Sequence, residues 1–512
     1  MHTHPEPSAA SDGAPWGVNV AGFLRSEMGI GEAARSVVVA LDAVGTPLLP
    51  VHGSYVPGNR QGVEFLCARP EAAPFPINLI CINPEELPIF LQDAGPGFTA
   101  GRYTIGFWWW EVAAFPERWI PTFDLVDEVW VGTEHVARNL QPVSPVPVTK
   151  MRIPVMPPTP SHLTREQLGL PGGFLFLFMF DFNSIFERKN PLAVVEAFIR
   201  AFSPDDGAVL VIKSINHGAD PDNYARLLSA AELHPGVHVV SRYMSREAKD
   251  ALVASCDCYV SLHRAEGFAL TPAEAMYLGK PVVATRYSGN LEFMSDENSF
   301  LVDYSVAPIR VSNPLYPPDG TWADPSPEHA ATLMRQVFDD PRAARRRAAI
   351  GAQQLQAAFS ATATGQAMES RLRAIHADVQ AGSWSPRIRR PASDPGPPIQ
   401  AWRNPLTGRL SLTRTLTTAR TFPGQRRALA AAVLGAAREL GGEWLDSRRR
   451  PLVKPRTGTS PATAPATATA TPGGHDLETW ALLARIRRQE AAADELRSQI
   501  VALERRLAGD GN

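Results

Sequence analysis

The feature that most constrains the fold is a strand, loop and helix pattern that occurs on both sides of a proline-rich segment. Phe174–Phe182 is an apolar run interrupted by Asp181, and a polar stretch and Pro191 follow it. Beyond Pro191 the apolar residues recur at helical spacing, which predicts a strand, a loop and a helix. Repeats of this unit favour a parallel sheet, because parallel strands need a long crossover between them.

The same pattern begins near the amino terminus. A predicted strand at residues 17–22 precedes a loop with Gly29 and Gly31, and a helical face follows until Gly45. This glycine spacing does not match the dinucleotide fingerprint and is weak evidence of phosphate binding by itself. The other predicted strands are 77–82, 103–108 and 128–131 in the first unit, and 208–213, 237–241, 258–262 and 282–285 in the second.

Length and proline content suggest the domain plan. At 512 residues the chain is too long for one ordinary core, and the prolines of residues 154–160 suit a stiff connection. We therefore predict two Rossmann-like α/β domains. The expected parts are 1–15, disordered; 16–155, the first domain; 156–360, the second domain; 361–380, a helix; 381–475, a disordered linker rich in Pro, Thr and Arg; and 476–508, a terminal helix.

Charge and apolar spacing set apart the carboxyl-terminal quarter. Residues 386–456 contain fifteen Arg or Lys and four Asp or Glu, so this tail carries a formal charge of +11. Such a segment suits an acidic membrane surface, and a solvated linker is the alternative. Apolar residues at 482–507 follow a heptad spacing, which fits either a homodimeric coiled coil or a single helix that folds against its own enzyme.

Composition favours a cytoplasmic protein. The first fifteen residues lack an apolar run, and four cysteines show neither zinc spacing nor a disulfide framework. No Asp-x-Asp follows a strand, so we predict metal-independent chemistry. Walker and Gly-x-Ser-x-Gly motifs are absent too, which argues against nucleotide triphosphatases and hydrolases. We expect no nucleic-acid partner, and contact with the inner membrane face would be peripheral.

Two carboxylates flank a predicted strand-to-helix turn in the second unit. Thr271 suits a helix N-cap, and Thr271-x-x-Glu274 fits a capping box. Glu266 lies outside both elements, so capping does not explain it. Both carboxylates lie at the carboxyl end of a strand, where open α/β sheets bind ligands and where a helix N-terminus favours anions.

The E-x7-E spacing, followed by Gly-Lys-Pro-Val-Val at 279–283 and Ser-Gly-Asn-Leu-Glu at 288–292, resembles retaining glycosyltransferases of family 4, the glycosyl transferases group 1. The resemblance covers roughly residues 16–380. It implies the GT-B fold, in which two Rossmann-like domains face each other across a cleft and the helix 361–380 packs back on the first domain. It also implies transfer from a nucleotide diphosphate sugar, without a cofactor, to a saccharide or lipid-linked acceptor in surface polysaccharide synthesis.

The resemblance also assigns roles in the donor site. Glu266 would contact hydroxyls of the transferred sugar and Glu274 the ribose. The backbone of Gly267, Phe268 and Ala269 would contact sugar and phosphate.

Cations are needed to stabilise the negative charge that develops on the departing diphosphate. Lys189 matches the lysine of the family, whereas the position of the family's arginine holds Asn183 or Ser184. Arg188 or Lys213 would then be the substitute, although a solvated turn also explains the Arg188-Lys189 pair.

Other donor contacts are expected from both domains. Tyr243 would lie beside the base, and Ser288 and Gly289 would donate backbone N–H groups or simply turn the chain. Gly29 and Gly31 would approach the donor phosphate from the first domain.

The first domain contains Trp108-Trp109-Trp110-Glu111. Successive strand side chains point to opposite faces, so three tryptophans cannot all enter one side of a core. We predict that at least one of them faces the cleft and that Trp109 and Trp110 bind the acceptor; packing against the second domain is the alternative. Relatives carry a catalytic His near this point, and Glu111 is the nearest polar group here. The loop 83–86 is a second candidate. The same plan also suits a nucleotide-sugar epimerase or a non-catalytic nucleotide-sugar-binding scaffold.

Overall fold

The computed structural model describes residues 15–55, 58–159, 161–311, 315–317 and 319–386. The predictions for the amino-terminal segment, the basic tail, its membrane contact and the terminal coiled coil lie outside these residues.

The first sheet has six parallel strands. They are β1 (Val18–Gly22), β2 (Leu48–Val51), β3 (Ile77–Cys81), β4 (Tyr103–Trp108), β5 (Glu128–Val131) and β6 (Val148–Lys150). Their spatial order is β2-β1-β3-β4-β5-β6. The residues of β1, β3, β4 and β5 are all buried, as expected for a parallel sheet that is covered on both faces.

The second sheet also has six parallel strands. They are β7 (Phe174–Asp181), β8 (Ala208–Ile215), β9 (Val237–Ser241), β10 (Cys258–Ser261), β11 (Val282–Thr285) and β12 (Phe300–Val302). Their spatial order is β12-β11-β10-β7-β8-β9. Two such sheets with helical crossovers confirm the predicted α/β class with two Rossmann-like domains.

Helices connect the strands and cover the sheets. They are α1 (Gly29–Ala43), α2 (Leu87–Ala94), α3 (Glu134–Leu140), α4 (Phe186–Lys189), α5 (Pro191–Ala201), α6 (Pro221–Ala231), α7 (Arg246–Ser255), α8 (Leu270–Tyr277), α9 (Pro327–Asp339), α10 (Pro341–Ala358) and α11 (Ala361–Gln380). None of these helices is both long enough and apolar enough to cross a membrane.

The helix α11 lies against α1 of the first domain. Gly365 makes this close approach possible, because a Cβ at that position would lie 2.0 Å from the carbonyl oxygen of Ala40. Arg371 adds an ion pair of 2.7 Å to the buried Glu128 in β5. The chain therefore returns to its first domain after completing the second.

An antiparallel hairpin extends from the second domain. Its strands are β13 (Tyr304–Pro308) and β14 (Thr321–Pro325). Sequence patterns did not predict these strands, nor the short strands β2, β6 and β12. These are edge or hairpin strands of three to five residues, and all of them except β12 include residues that are not buried, so no continuous apolar run marks them.

Candidate active site

Each sheet has one point at which its strand order reverses. In the first sheet, the strand that follows β1 lies on one side of the β1/β3 pair, and the strand that follows β3 lies on the other. In the second sheet, the strands that follow β7 and β10 likewise lie on opposite sides of that pair. Ligands of doubly wound sheets bind outside the carboxyl ends of such strands. Arg188 and Lys189 follow β7, and Glu266 follows β10, so the topology brings together residues that are 77 positions apart.

The centre of the candidate site is a cluster of four charged side chains. The carboxylate of Glu266 pairs with Lys189 through Oε1 and with Arg188 through Oε2, the latter at 3.2 Å. Arg188 also reaches Glu111 of the first domain, at 3.3 Å. All four candidates for catalysis therefore meet, and Arg188 joins the two domains.

Burial makes this cluster electrostatically strong. Burial alone would raise the pKa of Glu266, but Lys189 and Arg188 outweigh it and hold this pKa at about 2. Burial would likewise lower the pKa of Arg188, and the carboxylates of Glu111 and Glu266 raise it instead. Glu266 is consequently an ionised acceptor of hydrogen bonds, and the solvated turn that was the alternative for Arg188 is excluded.

The loop that contains Ser288 and Gly289 fixes the backbone of Glu266. Its N–H donates to the Ser288 hydroxyl at 2.9 Å, and its carbonyl accepts from the N–H of Gly289 at 2.9 Å. Gly289 is thus already occupied within the protein, contrary to its expected role as a free donor to the ligand. Ser288 and Ala269 have φ of 76° and 71°, and strained non-glycine residues of this kind concentrate at functional sites.

A buried histidine that sequence reasoning missed lies beneath Glu266. The His263 ring contacts the Ser261 hydroxyl at 2.9 Å and the Asn290 side chain at 3.1 Å. Burial lowers its pKa, so the ring is neutral at pH 7. Its position two residues after β10 was the available signal.

Thr271 is not the N-cap, and the capping alternative for Glu274 is wrong. The helix α8 begins at Leu270 with Ala269 as its N-cap, two residues before the predicted N-cap, so Thr271 lies inside its first turn. The Thr271 hydroxyl accepts from Tyr259 at 2.8 Å, and Glu274 Oε1 accepts from Lys249 at 2.7 Å. The buried Oε2 of Glu274 has no hydrogen-bond partner among the described residues.

Two further candidate residues line the donor side. Lys213 lies within β8, two residues before its end, and burial lowers its pKa to about 8. No described carboxylate lies within ion-pair distance of its ammonium. Tyr243 donates to the Asn216 side chain at 2.7 Å, and Asn216 also donates to Asp181 at the end of β7.

The backbone of the E-x7-E turn packs against the first domain. The carbonyl of Gly267 accepts from the Thr133 hydroxyl at 2.9 Å, and Phe268 packs on Phe293 and Phe359. Phe268 and Ala269 are both 4% exposed. This segment therefore forms part of the contact between the domains.

Trp109 and Trp110 are buried and do not line an open side of the cleft. Trp109 is 8% exposed and Trp110 is 2% exposed. Trp109 stacks on Phe107 and lies against Gly267, where an added Cβ would lie 3.3 Å from the Cβ of Trp109. Trp109 therefore packs against the second domain, which was the alternative to a position in the cleft.

The hairpin strands β13 and β14 bring an unpredicted tyrosine to the site. The Tyr316 hydroxyl donates to Glu111 at 3.4 Å, and its ring lies 5.9 Å from that of Trp110. Arg264, two residues before Glu266, holds this hairpin through Asp324 at 2.8 Å. Sequence spacing could not place Tyr316 there, because the hairpin crosses from one domain to the other.

A histidine also lies beside Glu111, although it comes from α3. The ring of His135 hydrogen-bonds to the Glu111 carbonyl at 2.7 Å, and Asn139 contacts the same ring. Burial lowers the pKa of His135. The ring therefore positions the Glu111 backbone.

The start of α1 presents its N-terminus to the cleft. Its N-cap, Met28, makes no side-chain cap, and a Cβ on Gly29 would meet no atom within 4 Å. Gly31 is necessary for packing, since its Cβ would lie 2.7 Å from the Ser26 carbonyl oxygen. Glu32 in the first turn pairs with Arg246 of the second domain at 2.9 Å.

Glu85, in the loop after β3, is a neutral acid at pH 7. Burial, followed by the nearby Glu86 and Glu111, raises its pKa from 4.5 to about 8. The pKa of this carboxyl is higher in the folded state than in the unfolded state. Its contribution to stability is therefore present at low pH and is lost as the pH rises from 4.5 through 8. The buried Oε2 of Glu85 has no hydrogen-bond partner among the described residues.

We therefore expect Glu85→Gln to stabilise the protein increasingly between pH 5 and pH 8. The unfolding temperature should rise by about 2–4 °C at pH 8, since the amide cannot ionise. Thermal unfolding at several pH values measures this, with Glu71→Gln, an exposed carboxylate in the same domain, as the control. A stabilisation that does not change with pH would show that Glu85 is already ionised.

Comparisons with known proteins identify the fold that carries this site. Residues 164–354 match the family model described as glycosyl transferases group 1. No curated protein sequence matches the chain. Anabaena HepE in complex with UDP and glucose is similar in structure, with a TM-score of 0.53 and 14% identity over 70% of this chain and 100% of HepE.

Sucrose-phosphate synthase from Thermosynechococcus elongatus is similar too, with a TM-score of 0.53 and 16% identity over 70% of this chain and 99% of the synthase. At such identities these likenesses establish the fold. The chain has the GT-B fold of glycosyltransferases. The glycosyl transferases group 1 match lies in its second domain, and the protein is a glycosyltransferase.

Proposed function

We propose that this protein transfers a sugar from a nucleotide diphosphate sugar to a hydroxyl of a saccharide or lipid-linked acceptor, with retention at the anomeric carbon. The observation that carries the proposal is the ionised Glu266, which is held between Arg188 and Lys189 at the strand-order reversal of the second sheet. A carboxylate fixed in this way is suited to accept hydrogen bonds from sugar hydroxyls.

The surrounding groups suit the charge that develops in this reaction. The bond between the anomeric carbon and the diphosphate oxygen breaks, and negative charge grows on the diphosphate. Lys189, Lys213 and the N-terminus of α1 are the groups that would stabilise this charge. The chain itself thus provides the cations for the leaving group, so the proposal requires neither a metal nor another cofactor.

The acceptor would enter from the side of the first domain. Glu111 lies there, held by Arg188 and Tyr316. Retention places the acceptor hydroxyl on the same face of the sugar as the leaving oxygen. The acceptor oxygen then bonds to the anomeric carbon, and its proton passes to the departing diphosphate, which is the nearest base on that face.

Finer assignments are supported by resemblance. The E-x7-E motif favours retention and a role in surface polysaccharide synthesis. Structures of HepE contain UDP, UDP with glucose, and UDP-glucose. UDP-glucose is therefore the first donor to test. A cytoplasmic location with peripheral contact at the inner membrane fits an acceptor of this kind.

Thermal unfolding with UDP, GDP and ADP tests the donor site. Ligand at about 100 times its dissociation constant should stabilise the protein by roughly 2.7 kcal/mol. We expect a selective shift with one nucleotide and its loss in Lys189→Met. Lys280→Met is the matched control, because Lys280 precedes β11 at the opposite edge of the sheet. The absence of a shift with all three nucleotides would contradict the proposal.

A further inference from the structure

A short segment of the first domain, residues 58–63, lies across the donor side of the cleft, and we call it the strap. Asn59 donates from Nδ2 to Asp181 Oδ2 of the second domain at 3.1 Å. The guanidinium of Arg60 lies 5.1 Å from the centre of the Tyr243 ring. The strap therefore contacts two residues that border the proposed nucleotide site.

The strap is attached to the residues that lead into α1. The N–H of Glu27 donates to the Arg60 carbonyl at 2.8 Å, and the N–H of Val63 donates to the Arg25 carbonyl at 3.2 Å. The side chains of Gln61 and Ser26 also hydrogen-bond to each other. These contacts place the backbone of Arg60 beside the N-terminus of α1.

The partners that hold the Arg60 side chain are weak and replaceable. Its Nε pairs with Glu27 at 2.8 Å, and the side chain is 57% exposed. Exposed ion pairs of this kind contribute about 0–1 kcal/mol, and an exposed cation–π contact contributes about 0.5–1 kcal/mol. The diphosphate of the donor, which carries two negative charges in total, offers a guanidinium a stronger, bidentate partner.

The fixed cations of the site leave room for another. Arg188 and Lys189 are already paired with Glu266, and Lys249 is paired with Glu274. Lys213 differs from these three, because no described carboxylate lies within ion-pair distance of its ammonium. Lys189 would have to share its charge between Glu266 and the diphosphate. The two lysines therefore do not fully balance the donor, and a further cation would stabilise it when it binds.

Glu27 connects the strap to this region. Its charge acts on both Lys213 and Tyr243, raising the pKa of each, although burial is the largest influence on both residues. Gly62 allows the strap to lie close to Glu27, because a Cβ at Gly62 would lie 1.9 Å from the Glu27 carboxylate. Arg60, Glu27, Lys213 and Tyr243 thus share one corner of the cleft.

We propose that Arg60 is a ligand of the donor diphosphate, supplied by the first domain and held beside its binding position by Glu27 and Tyr243. On donor binding, the guanidinium exchanges Glu27 for phosphate oxygens while Asn59 keeps the strap on the second domain. This inference rests on the proposed function, because it deepens the account of the same donor site.

Calorimetric binding of UDP, GDP and ADP, and of their nucleosides, tests this role. For the nucleotide that binds the wild-type protein, Arg60→Gln should weaken diphosphate binding by about tenfold or more. Its affinity for the nucleoside should stay unchanged, because the nucleoside lacks phosphate. Arg60→Lys should fall between the two, since it keeps the charge and loses the bidentate geometry.

Arg373→Gln is the matched control. Arg373 also pairs with a glutamate, Glu369, lies 4.7 Å from the centre of an aromatic ring, Trp16, and is 60% exposed. It is close to the start of β1, whereas the strap lies beyond the end of that strand. This variant should bind all ligands as the wild type does.

The results separate this inference from the proposed function. Unchanged diphosphate affinity in Arg60→Gln would overturn the role of Arg60 while a nucleotide site remains. Equal weakening of nucleoside and diphosphate would also overturn it, since Arg60 would then act on the base through Tyr243. Failure of the wild-type protein to bind any of the three nucleotides would overturn the proposed function and this inference with it.

Discussion

Glu266→Gln is expected to lower kcat/KM by about 100-fold or more while the protein stays folded. The amide has the shape of the carboxylate but lacks its charge, so it no longer binds sugar hydroxyls strongly or balances Arg188 and Lys189. Released nucleotide diphosphate, measured with the donor that binds, gives the rate. Circular dichroism and thermal unfolding show whether the fold is retained.

The matched control for this variant is Asp257→Asn. Asp257 is also a carboxylate paired with an arginine, Arg165, at 2.7 Å, but it precedes β10 at the edge opposite the site. The control should lose some stability and keep its activity. A Glu266→Gln enzyme with wild-type kcat/KM would remove Glu266 from the catalytic site.

Arg188→Met should cause the largest loss of stability among single substitutions at the site. Arg188 is 5% exposed and pairs with both Glu111 and Glu266. Removing one partner of a buried ion pair leaves an uncompensated charge and costs about 3–5 kcal/mol. Chemical denaturation should show this decrease in the free energy of unfolding, and activity should be lost with it.

A double variant tests the cause of that loss. Glu266 keeps its ion pair with Lys189 in Arg188→Met, whereas Glu111 loses its cation. Adding Glu111→Gln removes that unpaired carboxylate, so part of the stability should return. Both single variants and the double variant complete the cycle. If the two substitutions are simply additive, Arg188 and Glu111 are not coupled, and the contact between the domains at this point contributes little.

Strong local patterns predicted the sheets and the central charges of the site. The central strands are buried on both faces, so their apolar runs stand out in the sequence. Glu266 was identifiable because no local role explained a carboxylate between strand and helix. Arg188 and Lys189 followed from their position after the first strand of the second domain.

Tertiary contacts account for what the sequence could not predict. The Thr271 and Glu274 spacing fits a local cap, yet Tyr259 and Lys249 bind these side chains instead. The tryptophans alternate as expected, but a contact between the domains buries Trp109. Neither the hairpin that brings Tyr316 to Glu111 nor the strap has a periodicity, so only the folded chain reveals them.

The stereochemistry of the reaction product decides whether this protein is a retaining glycosyltransferase. The purified protein is incubated with UDP-glucose, or with the sugar of whichever nucleotide binds, and with a saccharide acceptor. We expect acceptor-dependent release of the nucleotide diphosphate and a new glycoside whose anomeric configuration, read by NMR coupling, equals that of the donor. An inverted product would contradict retention, and an altered sugar that remains on its nucleotide would show an epimerase instead.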